Sequence, residues 1–350
     1  NEFTRKRDDG LGDRNDLKKT FPGHSTCWDH LRLSLLISDK PTMLLLGTPH
    51  ETACDKSYHP GFIQYSNSFG YLPLLDDRMR IISALSFIFG SQLVPIGNSY
   101  FTQDWDPIQR TSNAAHYLGK TSNFSRPNMP PSYLSSDGIV ISEELVSNGV
   151  NAFLCASESM DIEFPLWFVW LANASPLDAA PAHLGAALEA LRKEYSEKTL
   201  KLKTTHLDKE LWTPISEKLE KTFDETTKDF EGETADERRI LRNKLRQLNA
   251  KSSNLQYQEF FDSLNLPIGK VEQAALRERN RPAHGHKYSN DQYQGVSAMS
   301  HALYTLFNRV MFKIIGIDAP YIDYSTFGHP LRSLNDPLGG PEGDGEPIKV

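Results

Sequence analysis

The sequence predicts an α+β protein, with a loop-rich mixed α/β amino-terminal part to about residue 158 followed by an all-α helical bundle. Two observations predict this. Residues 1–158 carry short apolar runs broken by Gly, Asn, Ser and Pro, a pattern of strands and turns. From Asp161 onward apolar residues return every three or four positions, the period of amphipathic helices. A chain of 350 residues has room for two cores.

In the first part, residues 42–47, 138–141 and 152–155 read as short strands, with Asn148-Gly149 as a turn before the last. A helix is expected from Asp77 to Phe89, because Arg78, Ile82, Leu85 and Phe89 share a face and Gly90 can stop it. Residues 121–136, rich in Ser, Asn and Pro, read as loop. The second part starts with an apolar helix carrying Trp167, Trp170 and Leu171. A second runs over about 178–196 on Leu184, Leu188, Leu191 and Tyr195, and a third carries Leu211, Ile215, Leu219 and Phe223. Thr234 to Glu237 is a capping-box pattern opening a fourth, whose inner face would be Leu241, Leu245 and Leu248. Phe260 and Leu264 mark a short fifth. A sixth begins at Lys270 and stops near Asn280, because Pro282 disfavours helix in the residue before it. The last covers about 297–315, with Met299, Leu303, Leu306 and Val310 inward. Most of Trp28, Trp105, Trp167, Trp170 and Trp212 are expected in the core. The glycine-rich end, 326–350, reads as a flexible tail.

Composition is that of an ordinary globular protein, 39% hydrophobic and 24% charged, with no apolar run of 18 residues to span a membrane. The chain opens without an initiator Met or a signal-peptide core and reads as a fragment. Cys27, Cys54 and Cys155 are widely spaced, which points to a reducing cytoplasm and away from a disulfide framework. The formal charge of −7 is uneven: between Asp236 and Lys287 eleven Lys/Arg face six Asp/Glu, a local excess of five positive charges. Such a segment can bind phosphates, or its first cluster, Arg238 to Lys251, can be a solvated helix face.

Several candidate sites are weak. His50, Glu51 and His59, with Cys54 and Asp55 between them, are metal-ligand types, but their spacing fits no helical pattern and a polar surface loop is the plainer reading. Asp104-Trp105-Asp106 reads as a turn before Pro107. Phosphate-cradling glycine loops and nucleophile elbows are missing from the sequence. Glu189, a carboxylate among apolar neighbours, needs a partner if it is buried; Arg279 or a backbone amide would serve, and an exposed Glu is the alternative. The run Arg279-Asn280-Arg281-Pro282-Ala283-His284 is the most informative. It places a fixed cation and a group that titrates near neutral pH at the end of a helix, though both could equally be caps that complement the helix dipole.

Arg279, Asn280 and His284, with Gly285 after them, resemble the signature of HEPN-domain ribonucleases. The phrase Ala187-Leu188-Glu189-Ala190-Leu191 looks like an early helix of that family. Residues 314–317 and 321–324 are similar to the closing segment of its ApeA-like branch, found among bacterial anti-phage defence proteins. Residues 84–90 are similar to the end of that branch's amino-terminal domain. The likeness covers 161–325, and 40–158 more loosely. Pro282, His286 and the charged insertion over 207–230 depart from it.

The resemblance implies a HEPN bundle over 159–325, a sensing or regulatory domain over 1–158, and a homodimer through the bundle that brings two motifs into one cleft. It implies an endoribonuclease that uses no metal and no cofactor, in which the 2′-hydroxyl attacks the adjacent phosphate. Arg279, Asn280 and His284 would be catalytic. Arg277, Arg281, His286 and Lys287 would bind RNA, with Glu189 supporting. The expected partners are RNA, tRNA among them, and a phage-protein trigger; the expected location is the cytoplasm. Other classes stay open: a non-catalytic nucleic-acid-binding or partner-sensing module, and a structural dimerisation bundle.

Overall fold

The computed structural model describes residues 30–47, 50–51, 58–59, 61–102, 104, 106–112, 128–134, 141–228, 234–279 and 288–340. Helix accounts for 55% and strand for 15%, and a small amino-terminal sheet precedes a helical region, an α+β arrangement.

Strands β1 (His30–Ile37), β2 (Lys40–Gly47) and β5 (Phe62–Gly70) form an antiparallel sheet in the order β1-β2-β5. Ser38 and Asp39, with φ of 48° and 60°, make the two-residue turn between β1 and β2. Two successive positive φ values match the right-handed twist of a hairpin. Leu31, Leu33, Leu35 and Ile37 point alternately into the core.

The free edge of β1 is covered by a helix, α2 (Glu143–Ser157), after α1 (Leu75–Phe89). Glu143, Ser147 and Asn151, one turn apart, accept from the N–H groups of Arg32, Ser34 and Leu36 at 3.0, 3.1 and 2.8 Å. Asn151 also donates to the Ser34 carbonyl at 3.0 Å. Four residues of helix rise about 6.0 Å and two residues of strand about 6.6 Å, close enough for three side chains to complete the edge. Residues 148–155, expected as a turn and a strand, therefore lie inside α2. Val146, Val150, Phe153 and Leu154 are its buried face, and Ser142 caps it by accepting from the Leu145 N–H.

Of the other expected strands, 42–47 lies in β2, while 138–140 falls outside the described residues. Two short hairpins follow the same order of the chain: β3 (His50–Glu51) with β4 (Tyr58–His59), and β6 (Gly97–Phe101) with β7 (Pro107–Ser112). α1 ends as its sequence requires, at Gly90 with φ of 62°, where a Cβ would collide with the Met129 backbone.

The remaining helices are α3 (Glu163–Ala174), α4 (Ala180–Tyr195), α5 (Lys209–Thr226), α6 (Ala235–Arg246), α7 (Ser253–Ser263), α8 (Lys270–Glu278) and α9 (Tyr293–Ile315). They match the expected helices in order and period. The chain separates into two compact units, 1–191 with 267–350, and 192–266. The division passes through the last turn of α4, and the expected boundary near 158 falls inside the first unit.

In the first unit α9 is the central helix, with Met299, Leu303, Leu306 and Val310 fully buried. Phe87 of α1 meets Phe153 of α2 at 6.3 Å and Phe312 of α9 at 6.1 Å between ring centroids. Residues 326–340, read as flexible tail, carry β9 (Leu331–Arg332), which pairs with β8 (Tyr321–Ile322), and bury Leu334 and Leu338. Asp323 organises this segment. Its carboxylate accepts from Ser325, Thr326, Arg332 and the Gly339 N–H at 2.5 to 3.1 Å.

In the second unit Tyr257, Phe260, Phe261 and Leu264 form a small aromatic core, with Tyr195 edge-on to Phe260. α5 and α6 bury none of their residues, and Leu241 and Leu248, expected inward, are exposed. Of the tryptophans described, Trp170 is buried but Trp167 is 47% exposed.

Candidate functional site

The run that begins at Arg279 hangs from α8, so the site starts with what fixes that helix. Glu272, the third residue of α8, is fully buried and reaches back to accept from the Gly269 N–H at 3.1 Å, closing the first turn. Its other oxygen accepts from the Leu338 N–H at 2.8 Å and from Arg309 Nη1 of α9 at 2.6 Å. Arg309, also fully buried, donates through Nη2 to the carbonyls of Pro267 and Leu334 at 3.0 and 3.3 Å, and its guanidinium lies 5.0 Å from the Tyr321 ring centroid. Burial pushes the Glu272 carboxyl above the usual range, and Arg309 and the Leu338 amide pull against it. The pair joins α8 to α9 where water cannot compete.

Two turns further along, Arg279 occupies the C-cap with helical φ and ψ. It is 8% exposed, a low value for an arginine. Its Nη1 donates to the Leu276 carbonyl, one of the groups left over at a helix end. Its aliphatic stem lies against Gly185 of α4: a Cβ at Gly185 would come within 3.1 to 3.2 Å of the Arg279 Cβ, Cγ and Cδ. Glu189 follows Gly185 by one turn on the same face of α4 and is half-buried. The helix carrying Glu189 thus packs through Gly185 against the end of the helix that carries Arg279.

Arg277, expected on RNA, is exposed. Asn280, Arg281, His284, His286 and Lys287 lie outside the described residues.

The first basic cluster has a different fate. Arg238 and Arg242 pair with Asp224, Arg246 holds Glu220 through two bonds of 3.0 and 3.1 Å, and Lys251 holds Glu259 at 2.6 Å. These cations are matched by acids of their own unit, as on a solvated helix face, and few are left over for phosphates. His50 and His59 are opposite each other in the β3–β4 ladder rather than in a loop, while Cys54 and Asp55 are outside the described residues. Among the described residues, no three His, Cys, Asp or Glu are grouped so as to hold a metal ion, and no helix is long and apolar enough to cross a membrane.

Sequence reasoning missed Gly185, Glu272 and Arg309. Gly185 had a signal, a glycine in mid-helix, which often marks a close approach. The ion pair had none, because its members are 37 residues apart on two helices. No protein-family model, curated protein or solved structure matches this chain.

Proposed function

We propose that this chain is a HEPN-type endoribonuclease that cuts RNA without a metal, with Arg279 and His284 as its catalytic pair and Asn280 between them. The observation that carries the reading is a charged side chain held at the end of a helix that is itself fixed. Arg279 has its stem against Gly185 and its helix tied to α9 through Glu272 and Arg309. A guanidinium so positioned can grip a phosphate through two parallel hydrogen bonds and offset charge as it develops. An imidazole five residues on has an unperturbed pKa of about 6.5 and can exchange a proton with the 2′-hydroxyl or the leaving oxygen. DNA lacks that hydroxyl. In this reading a two-fold axis supplies the second imidazole, tRNA is among the substrates, and the setting is anti-phage defence in the cytoplasm.

One observation favours the non-catalytic module instead. Arg279 is buried and its Nη1 faces the Leu276 carbonyl, which is what a cap does. The deciding experiment is incubation of purified protein with tRNA or total RNA, and with a matched DNA strand, in excess EDTA. Cleavage of RNA alone, leaving a 2′,3′-cyclic phosphate, is the expected result. Arg279→Ala removes packing as well as charge, so the cleaner variants are Arg279→Lys, which keeps stem and charge, and His284→Ala. Each should lower the rate by about 10²–10⁴ with helicity unchanged. RNA affinity without cleavage in the wild type would select the module.

A further inference from the structure

We infer, resting on the ribonuclease reading, that the turn Thr326-Phe327-Gly328-His329 is a stacking platform that takes an unpaired base of the RNA near the cleaved phosphate. The substrate is then single-stranded where it meets this turn.

Phe327 is fully exposed, although the segment that carries it is firmly held. The Thr326 carbonyl accepts from the His329 N–H at 3.1 Å, and Gly328 has φ of 81° at the third position, a turn of type II. Below the turn, the Asp323 carboxylate takes the hydroxyls of Ser325 and Thr326 on one side and Arg332 and the Gly339 N–H on the other. Tyr324, buried, donates through its N–H to Thr305 of α9 at 3.2 Å and through its hydroxyl to the Pro130 carbonyl at 2.7 Å. His329 is itself left-handed, with φ of 47°, a conformation that a residue with a Cβ adopts at a cost. A ring on so fixed a support loses little freedom when something stacks on it.

What surrounds the ring decides what covers it. Its neighbours along the turn are Ser325, Thr326, Gly328 and His329: hydroxyls, bare backbone and an imidazole rather than aliphatic groups. A protein pocket would find one apolar ring without the surrounding contacts that exclude water at an interface hot spot. A base needs only one ring face, because every base has a π-face of its own. A second ring stands two residues on. His329 is exposed, with its ring centroid 5.1 Å from that of Tyr324 and 6.5 Å from that of His301 on α9, both edge-on. The N–H groups of Phe327 and Gly328 have no hydrogen-bond partner among the described residues, which leaves donors for phosphate oxygens beside the rings. Position agrees. The motif run leads from Arg279 towards α9, whose first residue is Tyr293, and His301 is eight residues along, about 12 Å. A few nucleotides of one strand, at about 3.4 Å each when stacked, span that length.

The test is binding of the full chain, in excess EDTA, to a short unpaired DNA strand, which can stack but has no 2′-hydroxyl through which to be cut. Phe327→Ala should weaken binding about 5- to 150-fold. Binding of the same strand annealed to its complement should not change. Helicity and melting temperature should stay at wild-type values, because a fully exposed ring supports no core. Phe327→Trp should keep the affinity, and the emission it adds to that of wild type should be quenched by the single strand. In cleavage of single-stranded RNA, Phe327→Ala should raise KM more than it lowers kcat, since the ring holds substrate and transition state alike. An affinity that Phe327→Ala leaves at the wild-type value, an added emission that the bound strand does not quench, or a wild type that does not bind the strand overturns the platform. Quenching by the strand together with RNA left whole in EDTA keeps the platform and overturns the ribonuclease reading alone.

Discussion

Two regions of this molecule are held by the same chemistry, carboxylate on guanidinium, under opposite conditions. Where α8 meets α9, Glu272 and Arg309 are both 0% exposed and make every contact inside the protein. In the α5–α6 hairpin, Arg246 and Glu220 are 55% and 28% exposed, and water shares them. The first arrangement has displaced all solvent from two charges, so each is indispensable to the other. The second gains little over hydrated charges and sets register more than it adds stability. The candidate site belongs to the region held the first way.

The largest effect that could break this comparison is the loss of one buried partner. Arg309→Ala strands the Glu272 carboxyl in the interior with only amides for partners, so it must either stay charged without its cation or take up a proton. The substitution should cost about 3–5 kcal/mol in denaturant or thermal unfolding. Replacing both, as Glu272→Leu with Arg309→Met, should cost less than the single change, since no buried carboxyl is left without its partner. A single-variant loss under about 1 kcal/mol would mean that water reaches the pair and that the contrast is false.

Asp323 sharpens the same side of the comparison. Burial alone would push its carboxyl up, but the hydrogen bonds from Ser325, Thr326, Gly339 and Arg332 outweigh this and hold it below the usual carboxylate range. A depressed folded-state pKa stabilises above the unfolded value of about 3.9, and that stability is lost as pH falls through the folded value. Asp323→Asn should therefore cost about 1–3 kcal/mol at pH 7. The gap to wild type should close in acid below about pH 4. A gap independent of pH would assign the effect to packing.

What the sequence revealed divides along the same line. Period and punctuation made the helices legible: Leu184, Leu188 and Leu191 in α4, Met299 to Val310 in α9, and Gly90 at the end of α1. A period announces that a face exists without saying what covers it, which is why Leu241 and Leu248 were expected inward and are exposed. α2 was misread over 152–155 because a four-residue apolar run carries no period. The helix signal lay earlier, in Ser142 as cap and in Val146 and Val150 one turn apart. At the candidate site, the end of α8 and the capping position of Arg279 could be read from Pro282 onward. The contact with Gly185 left one local trace, a glycine in mid-helix, while the Glu272–Arg309 pair is tertiary and local pattern carries none.

The smallest effect belongs to the hairpin and tests the contrast from below. The hydrogen bond from Arg246 holds the Glu220 carboxyl below its usual range, against a lesser opposing influence of burial. In sign this is the same linkage as at Asp323, with stability present above the unfolded pKa and lost in acid. In size it is not, because side chains in contact with water exchange one set of partners for another, and salt screens what remains. Glu220→Gln and Arg246→Gln should each shift the melting temperature by no more than about 1–2 °C at 0.15 M salt, and by less in 0.5 M. Combining them should show little coupling. If either variant unfolds the protein as Arg309→Ala does, exposure is not what separates the two regions, and the ion pairs of the hairpin hold its fold as well as its register.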